Sequence, residues 1–178
     1  MPTLGTLTTK PAGEMTDAIA PVTARALQAL GLMETAGVVE IDPELSDTAA
    51  FMERYGVDPD TSANCVLVAG KREGQQRIAA CMVLASTRAD VNTVVRKELN
   101  VRKASFLPMD QAVADSGMEY GGITPLGLPE AWPVLIDARV DAADTVVIGS
   151  GVRRSKILLP GSALRAIPGS RILEGLGR

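Results

Sequence analysis

The part of this sequence best suited to chemistry is a loop with four glycines and two prolines, GMEYGGITPLGLP at residues 117–129. The adjacent Gly121 and Gly122 carry no Cβ, so their backbone N–H groups stay open to a ligand. Pro125 restrains the chain and can fix the far side of the loop. Such a loop can present preorganised amides to an anion or to a developing oxyanion. The same composition also suits a tight connection between a helix and a strand, and spacing alone leaves both interpretations open.

The chain contains no histidine, which excludes Ser-His-Asp and Cys-His nucleophile systems and most catalytic zinc sites. Its two cysteines, Cys65 and Cys81, each stand in an apolar run, which is typical of buried core rather than of a disulfide or a metal site. No metal and no other cofactor is expected. Acid–base work would fall to carboxylates, lysine, tyrosine, backbone amides or the substrate itself. A redox role would need an accessible thiol of low pKa, which the apolar context argues against.

The elements that must position the loop alternate without a regular strand–helix–strand repeat. Apolar periodicity and end signals predict helices over about residues 17–30, 46–56, 90–99 and 108–116, with a last helical turn at 161–167. Apolar runs predict strands at 38–41, 64–69, 78–85, 134–138, 145–150 and 156–159. Ser46 is expected to cap the second helix and Gly56 to end it. This order predicts a single α/β domain, α+β-like, with a mixed sheet.

The chain has 178 residues, 46% hydrophobic and 22% charged, which suits one globular domain. Its Thr/Pro/Gly-rich start predicts a flexible N-terminal arm over residues 1–14, followed by a single domain over residues 15–178. The longest apolar stretches fall short of the roughly 20 residues that a membrane span needs. The first residues also lack the basic start and apolar core of a signal peptide. We therefore expect a cytoplasmic protein with no membrane partner.

The net charge of −3 hides a gradient along the chain. Residues 1–60 hold 3 basic and 10 acidic side chains, whereas residues 151–178 hold 6 basic and 1 acidic. A basic end of this kind is either a solvated surface or a local phosphate-binding patch. Charge alone does not decide between the two.

Three segments in order resemble the YbaK/prolyl-tRNA-editing domain family. They are the loop GMEYGGITPLGLP, the strand PVLID at 133–137 and the segment VVIGSGVRRSKILLPGSAL at 146–164. The similarity extends over roughly residues 46–167, through AAFMERYGVDPDTSANCVLVA and the helix that begins DVNTVVRKELNVRK. The resemblance implies a single α/β domain with a mixed, barrel-like sheet flanked by helices.

The resemblance also implies an activity. Members of this family hydrolyse the ester bond of mischarged aminoacyl-tRNAs, either as a domain inserted in prolyl-tRNA synthetase or as free-standing proteins. This chain looks like the free-standing, trans-editing type of deacylase, which serves translation fidelity. Family members use the terminal ribose hydroxyl of the tRNA, with water, as a substrate-supplied acid–base. The protein then supplies position, a pocket of limited size and backbone donors.

The resemblance assigns site residues to positions in this chain. It implies catalytic-centre roles for Gly121, Gly122, Asp137 and Asn64. It implies substrate contacts for Ile123, Thr124, Pro125, Gly151, Arg153 and Lys156.

One position departs from the family pattern. Many members carry a lysine near the start of the strand that corresponds to SANCVLVA, and Asn64 stands there in this chain, with Cys65 at a small-hydroxyl position. Asn64 can donate a hydrogen bond but carries no charge. A subfamily that works without the lysine, a changed substrate and a loss of catalysis all stay open. Lys71 and Lys156 are the substitutes that the sequence offers, although a solvated surface position is the simpler interpretation for each.

The partner implied by the resemblance is the acceptor end of an aminoacyl-tRNA, with an aminoacyl-tRNA synthetase as a second partner. Basic residues of the C-terminal third are expected to contact backbone phosphates. Arg96, Lys97, Arg102 and Lys103 lie near a helix end, where positive charge is favourable against the helix dipole, and tRNA phosphates are their alternative partners. The alternative function is a non-catalytic protein of the same fold that binds tRNA ends, a nucleotide or an amino acid.

Overall fold

The computed structural model describes residues 1–178, and the apolar runs of the sequence form most of its strands. The strands are β1 Thr3–Leu4, β2 Leu7–Thr8, β3 Lys10–Pro11, β4 Gly37–Glu40, β5 Ala63–Arg72, β6 Gln75–Leu84, β7 Ala104–Phe106, β8 Val134–Asp137, β9 Val146–Gly149, β10 Ser155–Leu159 and β11 Ser170–Leu173. The α-helices are α1 Pro21–Ala29, α2 Thr48–Tyr55, α3 Arg96–Leu99, α4 Met109–Ser116 and α5 Ala138–Asp141, with a π-helical segment Val91–Val95 leading into α3. Short 3₁₀ turns lie at Ala12–Glu14, Thr16–Ala18, Pro43–Leu45, Pro59–Thr61 and Gly161–Ala166.

Two sheets build the body of the protein. The first has the order β3-β4-β10-β9 and is antiparallel throughout. The second has the order β11-β8-β6-β5-β7 and is mixed, because β8 runs parallel to both β6 and β11. A parallel bridge between Ser62 and Val147 joins the start of β5 to β9, so the two sheets close on each other. The arrangement confirms the predicted mixed, barrel-like sheet flanked by helices.

The interior between the sheets is apolar and continuous. One cluster of 26 buried residues draws side chains from both sheets, including Ile148 and Ile157 from the first and Met82 and Ile136 from the second. Trp132, which follows the glycine-rich loop, packs in the same cluster and is 8% exposed. Burial of this kind is the dominant favourable contribution to folding.

The hairpin of β5 and β6 is longer than its apolar runs. The two strands pair from Ala63 with Leu84 to Arg72 with Gln75. A two-residue turn joins them, in which Glu73 and Gly74 have φ values of 52° and 78°. Positive φ at both turn residues matches the twist of the strands and lets polar residues continue the ladder beyond the core.

The helix end at Gly56 agrees with the sequence prediction, whereas the N-termini of α1 and α2 differ from it. Gly56 ends α2 with a φ of +66°, as predicted. Ser46 does not cap that helix: it follows the Pro43–Leu45 turn with φ −73° and ψ −21°, and Asp47 takes the extended N-cap position. The first helix begins at Pro21 rather than near residue 17, because proline fits the first helical turn. Asp90 accepts a hydrogen bond from the Thr93 N–H, as expected of a cap.

The N-terminal residues 1–14 carry β1, β2 and β3. Thr6 donates its N–H to the Tyr55 carbonyl at 2.9 Å, and Leu7 is 2% exposed. The mobility expected of this segment stays a prediction. None of the helices has both the length and the apolar character that a membrane crossing would require.

Candidate functional site

A cavity of about 290 Å³ opens where the two sheets meet. Its walls come from the start of β5, the end of β9, the first turn of α2, Lys156 of β10 and the glycine-rich loop. Its lining combines apolar side chains, among them Phe51 and Ile148, with hydroxyl, amide and ammonium groups. It is therefore a half-polar pocket that can hold a small group and orient it.

The glycine-rich loop is tied to the segment that joins β9 and β10. Gly122 donates its N–H to the Glu119 carbonyl at 3.0 Å and accepts the Gly151 N–H at 2.7 Å. Glu119 in turn donates its N–H to the Gly151 carbonyl at 2.9 Å. A Cβ on Gly122 would lie 2.6 Å from the carbonyl carbon of Val152, so only glycine allows this close approach.

Three loop residues at the cavity, Tyr120, Gly121 and Ile123, have open amides. All three residues line the cavity, and none of the three N–H groups has an acceptor within the protein. The sequence predicted Gly121 and Gly122 as the pair, but the N–H of Gly122 already bonds the Glu119 carbonyl. The structure therefore offers the adjacent amides of Tyr120 and Gly121 together with that of Ile123, and not the Gly122 amide.

Arg153 supports the loop from outside the cavity. Its guanidinium donates to the carbonyls of Tyr120 and Pro43, both at 3.2 Å. Its backbone N–H donates to the Glu119 carboxylate at 3.2 Å. Arg153 thus positions the segment around Gly121 rather than lining the cavity itself.

Lys156 brings a positive charge into the cavity. It lies on the face of β10 that packs under α2, beside an apolar cluster that includes Phe51 and Leu158. Its Nζ donates to the Ser46 carbonyl at 3.3 Å and lies 5.1 Å from the centre of the Phe51 ring. Burial lowers the pKa of Lys156 to about 8, against the opposing attraction of Asp47, and the charge of Arg153 lowers it further. The expectation that Lys156 is a solvated surface residue is therefore wrong.

The ammonium of Lys156 is only partly satisfied by the protein. It has three N–H donors, one carbonyl acceptor and no carboxylate within salt-bridge distance. A partly buried cation with free donors is costly for stability unless a ligand completes its shell.

Asn64 and Ser46 add uncharged donors near this ammonium. Thr48 donates its hydroxyl to Asn64 Oδ1 at 2.8 Å, which leaves the Asn64 Nδ2 group without a protein acceptor. The Ser46 hydroxyl is buried and has no hydrogen-bond partner. Unpartnered buried polar groups are rare in folded proteins, and of the three such hydroxyls in this chain only that of Ser46 belongs to a residue that lines the cavity.

The structure brings together four of the predicted site residues. Asn64, Gly121, Ile123 and Lys156 all line the cavity. The remaining predicted residues lie around or away from it: Gly122 and Gly151 in the loop contacts, Arg153 behind the loop, and Thr124, Pro125 and Asp137 elsewhere. Thr124 is fully buried, and Pro125 lines a separate apolar groove of about 370 Å³ against α1.

Asp137 anchors the C-terminus instead of lining the cavity. Its carboxylate accepts the N–H of Gly177 at 2.6 Å and the N–H of Arg139 at 2.8 Å, and it pairs with the Arg139 guanidinium. The residue is 1% exposed, at the end of β8. The sequence suggested that the Asp137 carboxylate was free to face the pocket. It instead binds Gly177 of the C-terminal segment, a contact between residues that are distant in sequence.

Ser46, Thr48 and Phe51 line the cavity, although no sequence pattern predicts them there. They lie on the entry to α2, and the sequence indicated only an N-cap and a core face there. The SDT sequence at residues 46–48 carried the signal, because three consecutive short polar residues exceed what one cap needs.

Both cysteines behave as core residues. Burial raises the pKa of Cys65 well above its usual range and that of Cys81 to about 12. Both thiols are free. The raised pKa values argue against thiolate chemistry, even though Cys65 lines the cavity. No group of three or more acidic, cysteine or histidine side chains is arranged to hold a metal ion.

We expect Lys156→Met to remove a pH dependence of stability. With a folded-state pKa of about 8 and an ordinary value of 10.5, the unfolded chain binds more protons between these pH values, so wild-type stability rises with pH across this window. The variant should be more stable than wild type at pH 7, and its advantage should shrink by up to about 3 kcal/mol towards pH 10.5. Urea unfolding across this range measures the difference. Lys10→Met, at an exposed lysine, is the control, and a pH-independent difference for Lys156→Met would contradict the assignment.

Asp137→Asn tests the anchoring role of that carboxylate. The amide would turn a donor towards the Gly177 N–H, so we expect a loss of about 2 kcal/mol of stability and faster hydrogen exchange at the C-terminus. Thermal unfolding and exchange of the Gly177 amide measure both effects. Asp144→Asn, at an exposed carboxylate without a salt bridge, is the matched control. Unchanged stability and exchange in the Asp137 variant would refute the anchor.

Comparison with known proteins gives a family and a set of similar folds. The family model described as the aminoacyl-tRNA editing domain matches residues 42–167. The crystal structure of a candidate trans-editing enzyme for prolyl-tRNA synthetase is similar at 17% identity and a TM-score of 0.73, covering 88% of this chain and 97% of that one. The crystal structure of the hypothetical protein APE2540 has 16% identity and a TM-score of 0.76, covering 88% and 99%. A scaffold used for computational epitope grafting has 19% identity and a TM-score of 0.72, covering 89% and 96%. At these identities the structures show a shared fold.

Proposed function

Since this chain belongs to the aminoacyl-tRNA editing domain family, we propose that it hydrolyses the ester bond of a mischarged aminoacyl-tRNA in trans. The observation that carries the proposal is the partly buried ammonium of Lys156, held in a small cavity together with open amides. A cavity of about 290 Å³ suits an aminoacyl group and part of the terminal ribose.

The proposed chemistry uses groups of the substrate for proton transfer. Water attacks the ester carbonyl carbon, the bond to the ribose oxygen breaks, and that oxygen regains a proton as a hydroxyl. The neighbouring ribose hydroxyl and water carry the protons, which suits a chain without histidine. The products are the free amino acid and uncharged tRNA.

The protein contributes position and charge stabilisation. Negative charge develops on the carbonyl oxygen during the attack. The ammonium of Lys156 and the N–H groups of Tyr120, Gly121 and Ile123 are the donors available to it. Asn64 and Ser46 hydrogen-bond further acceptor atoms of the substrate. Arg153 acts as a positioning residue, because it holds the carbonyl of Tyr120, next to Gly121.

Selection of the mischarged amino acid follows from the size of the cavity. Phe51, Val147 and Ile148 form its apolar wall and admit a small side chain. A hydrolytic pocket that accepts only small groups acts as a second sieve after the synthetase. A synthetase is therefore proposed as a second partner, alongside the acceptor end of the tRNA.

We expect the purified protein to deacylate one mischarged species in a panel of radiolabelled aminoacyl-tRNAs. The panel contains tRNA for proline charged with alanine, cysteine, serine or proline, and loss of acid-precipitable label measures hydrolysis. Correctly charged prolyl-tRNA should be spared, because selection by the cavity is the purpose of editing. Spontaneous hydrolysis without protein is the control.

The alternative function is a non-catalytic binding protein on this fold. The uncharged Asn64 near the start of β5, where the family pattern implies lysine, is the observation that favours it. Binding of tRNA at low salt without hydrolysis of any species in the panel would support this alternative and refute the deacylase.

A further inference from the structure

The basic residues of the C-terminal segment are engaged within the protein. Arg165, Arg171 and Arg178 form salt bridges with Asp141, Glu98 and Asp90. Arg153 and Arg154 donate to backbone carbonyls, and Lys156 belongs to the cavity, where it makes one such bond. A cation that already has a partner within the protein binds a phosphate less strongly than an unpaired cation does. Residues 151–178 are therefore a weaker candidate for the phosphate-binding patch than the sequence suggested.

Three cations without a salt bridge lie together on a surface groove at the far end of β5. The groove measures about 610 Å³, and Lys71, Arg102 and Lys103 supply all of its charged lining. None of the three has a carboxylate within salt-bridge distance. The groove borders β7, the edge strand of the five-stranded sheet, so no further strand covers it.

Strand β5 connects this groove to the cavity. Asn64 and Cys65 line the cavity near its start, and Ala69, Gly70 and Lys71 line the groove near its end. At about 3.3 Å per residue, six residues of strand separate the two regions by roughly 20 Å. A ligand that reaches both must therefore be long, and the cations favour one that is anionic where it crosses the groove.

We propose that the groove lined by Lys71, Arg102 and Lys103 binds the sugar-phosphate backbone of tRNA while the aminoacyl end occupies the cavity. The inference rests on the proposed function for the identity of the RNA. Regularly spaced phosphates match a row of exposed, unpaired cations better than a single small anion does. The groove thus discriminates a whole tRNA from a free aminoacyl-nucleotide, which fills the cavity alone.

The test is the salt dependence of binding of uncharged tRNA to the full chain. Arg102→Gln/Lys103→Gln should weaken binding roughly tenfold in low salt. It should also reduce the slope of log K against log salt concentration by about 1.4 to 1.8, because each lost phosphate contact removes about 0.7 to 0.9. Lys10→Gln/Arg25→Gln has the same net charge and changes cations outside the groove, so it should retain the wild-type slope.

The outcomes distinguish tRNA binding at the groove from the proposed deacylase activity. A reduced slope in the groove variant alone supports the surface, even where the aminoacyl-tRNA panel shows no hydrolysis. Hydrolysis by wild type with equal slopes for the two double variants would overturn the surface and leave the deacylase standing. Absence of tRNA binding by the wild-type protein would overturn the surface outright.

Discussion

Lys156→Met is expected to lower kcat/KM for hydrolysis of the mischarged aminoacyl-tRNA by about 100-fold or more. Removal of one preorganised donor to a developing oxyanion typically costs this much, and Lys156 is the cationic side chain that lines the cavity. With the pKa of Lys156 at about 8, the wild-type rate should also fall as the pH rises above 8, because the ammonium loses its proton. Single-turnover deacylation across this range, corrected for spontaneous hydrolysis, measures both effects.

Moving the ammonium from position 156 to position 64 tests whether hydrolysis needs a positive charge in the cavity or needs Lys156 itself. Asn64→Lys alone should reduce activity, because it places a second ammonium in the same small cavity. Asn64→Lys/Lys156→Met restores one ammonium to the cavity from β5 instead of β10. We expect this double variant to recover activity at least about tenfold over Lys156→Met alone. Equal activity of wild type and Lys156→Met would refute the role of Lys156. If Lys156→Met and the double variant are both folded and the double variant recovers no activity, the ammonium is required at position 156.

Gly121→Val is expected to abolish detectable hydrolysis while the protein stays folded. Gly121 has a φ of +87°, and a Cβ there would lie 2.6 Å from Arg153 Nη1 and 3.4 Å from the Ser46 hydroxyl. The Arg153 guanidinium is the end of a flexible side chain, so it can move aside. In doing so it would lose its bonds to Tyr120 and Pro43, and the amide of Gly121 would shift. A displacement of about 1 Å at such a site can cost about 100-fold in rate.

Gly74→Val is the matched control for this loop variant. Gly74 has a φ of +78° and no atom within 4 Å of the position of a Cβ. A valine there would therefore have the same backbone strain as at Gly121 but no steric clash with neighbouring side chains. Both variants should lose about 1 to 2 kcal/mol of stability from the left-handed conformation. Only Gly121→Val should lose activity, and thermal unfolding with the deacylation assay compares the two. Full activity of Gly121→Val would remove the loop from the mechanism.

Local sequence predicted most of the elements. Gly56 and Gly117 end helices with positive φ, as their positions indicated. The apolar strands β8, β9 and β10 begin and end within two residues of the predicted ranges. Strand β11 was missed because Ser170–Leu173 has no apolar run: it is held by parallel pairing with β8, a contact between distant segments. Ser46 was predicted as the N-cap of α2, but Asp47 takes that position. Both residue types are good N-caps, so the local pattern does not distinguish them.

The sequence by itself determined the family, the glycine-rich loop and the absence of histidine chemistry, because these depend on residue types and on spacing within short segments. Only the tertiary structure decided which distant side chains meet. Lys156 looked solvated because lysine side chains are rarely buried, yet α2 covers that face of β10 and buries it. Asp137 looked available until the tail at Gly177 occupied its carboxylate. Burial and hydrogen-bond partners at both positions follow from packing between distant segments, which no short stretch of sequence encodes.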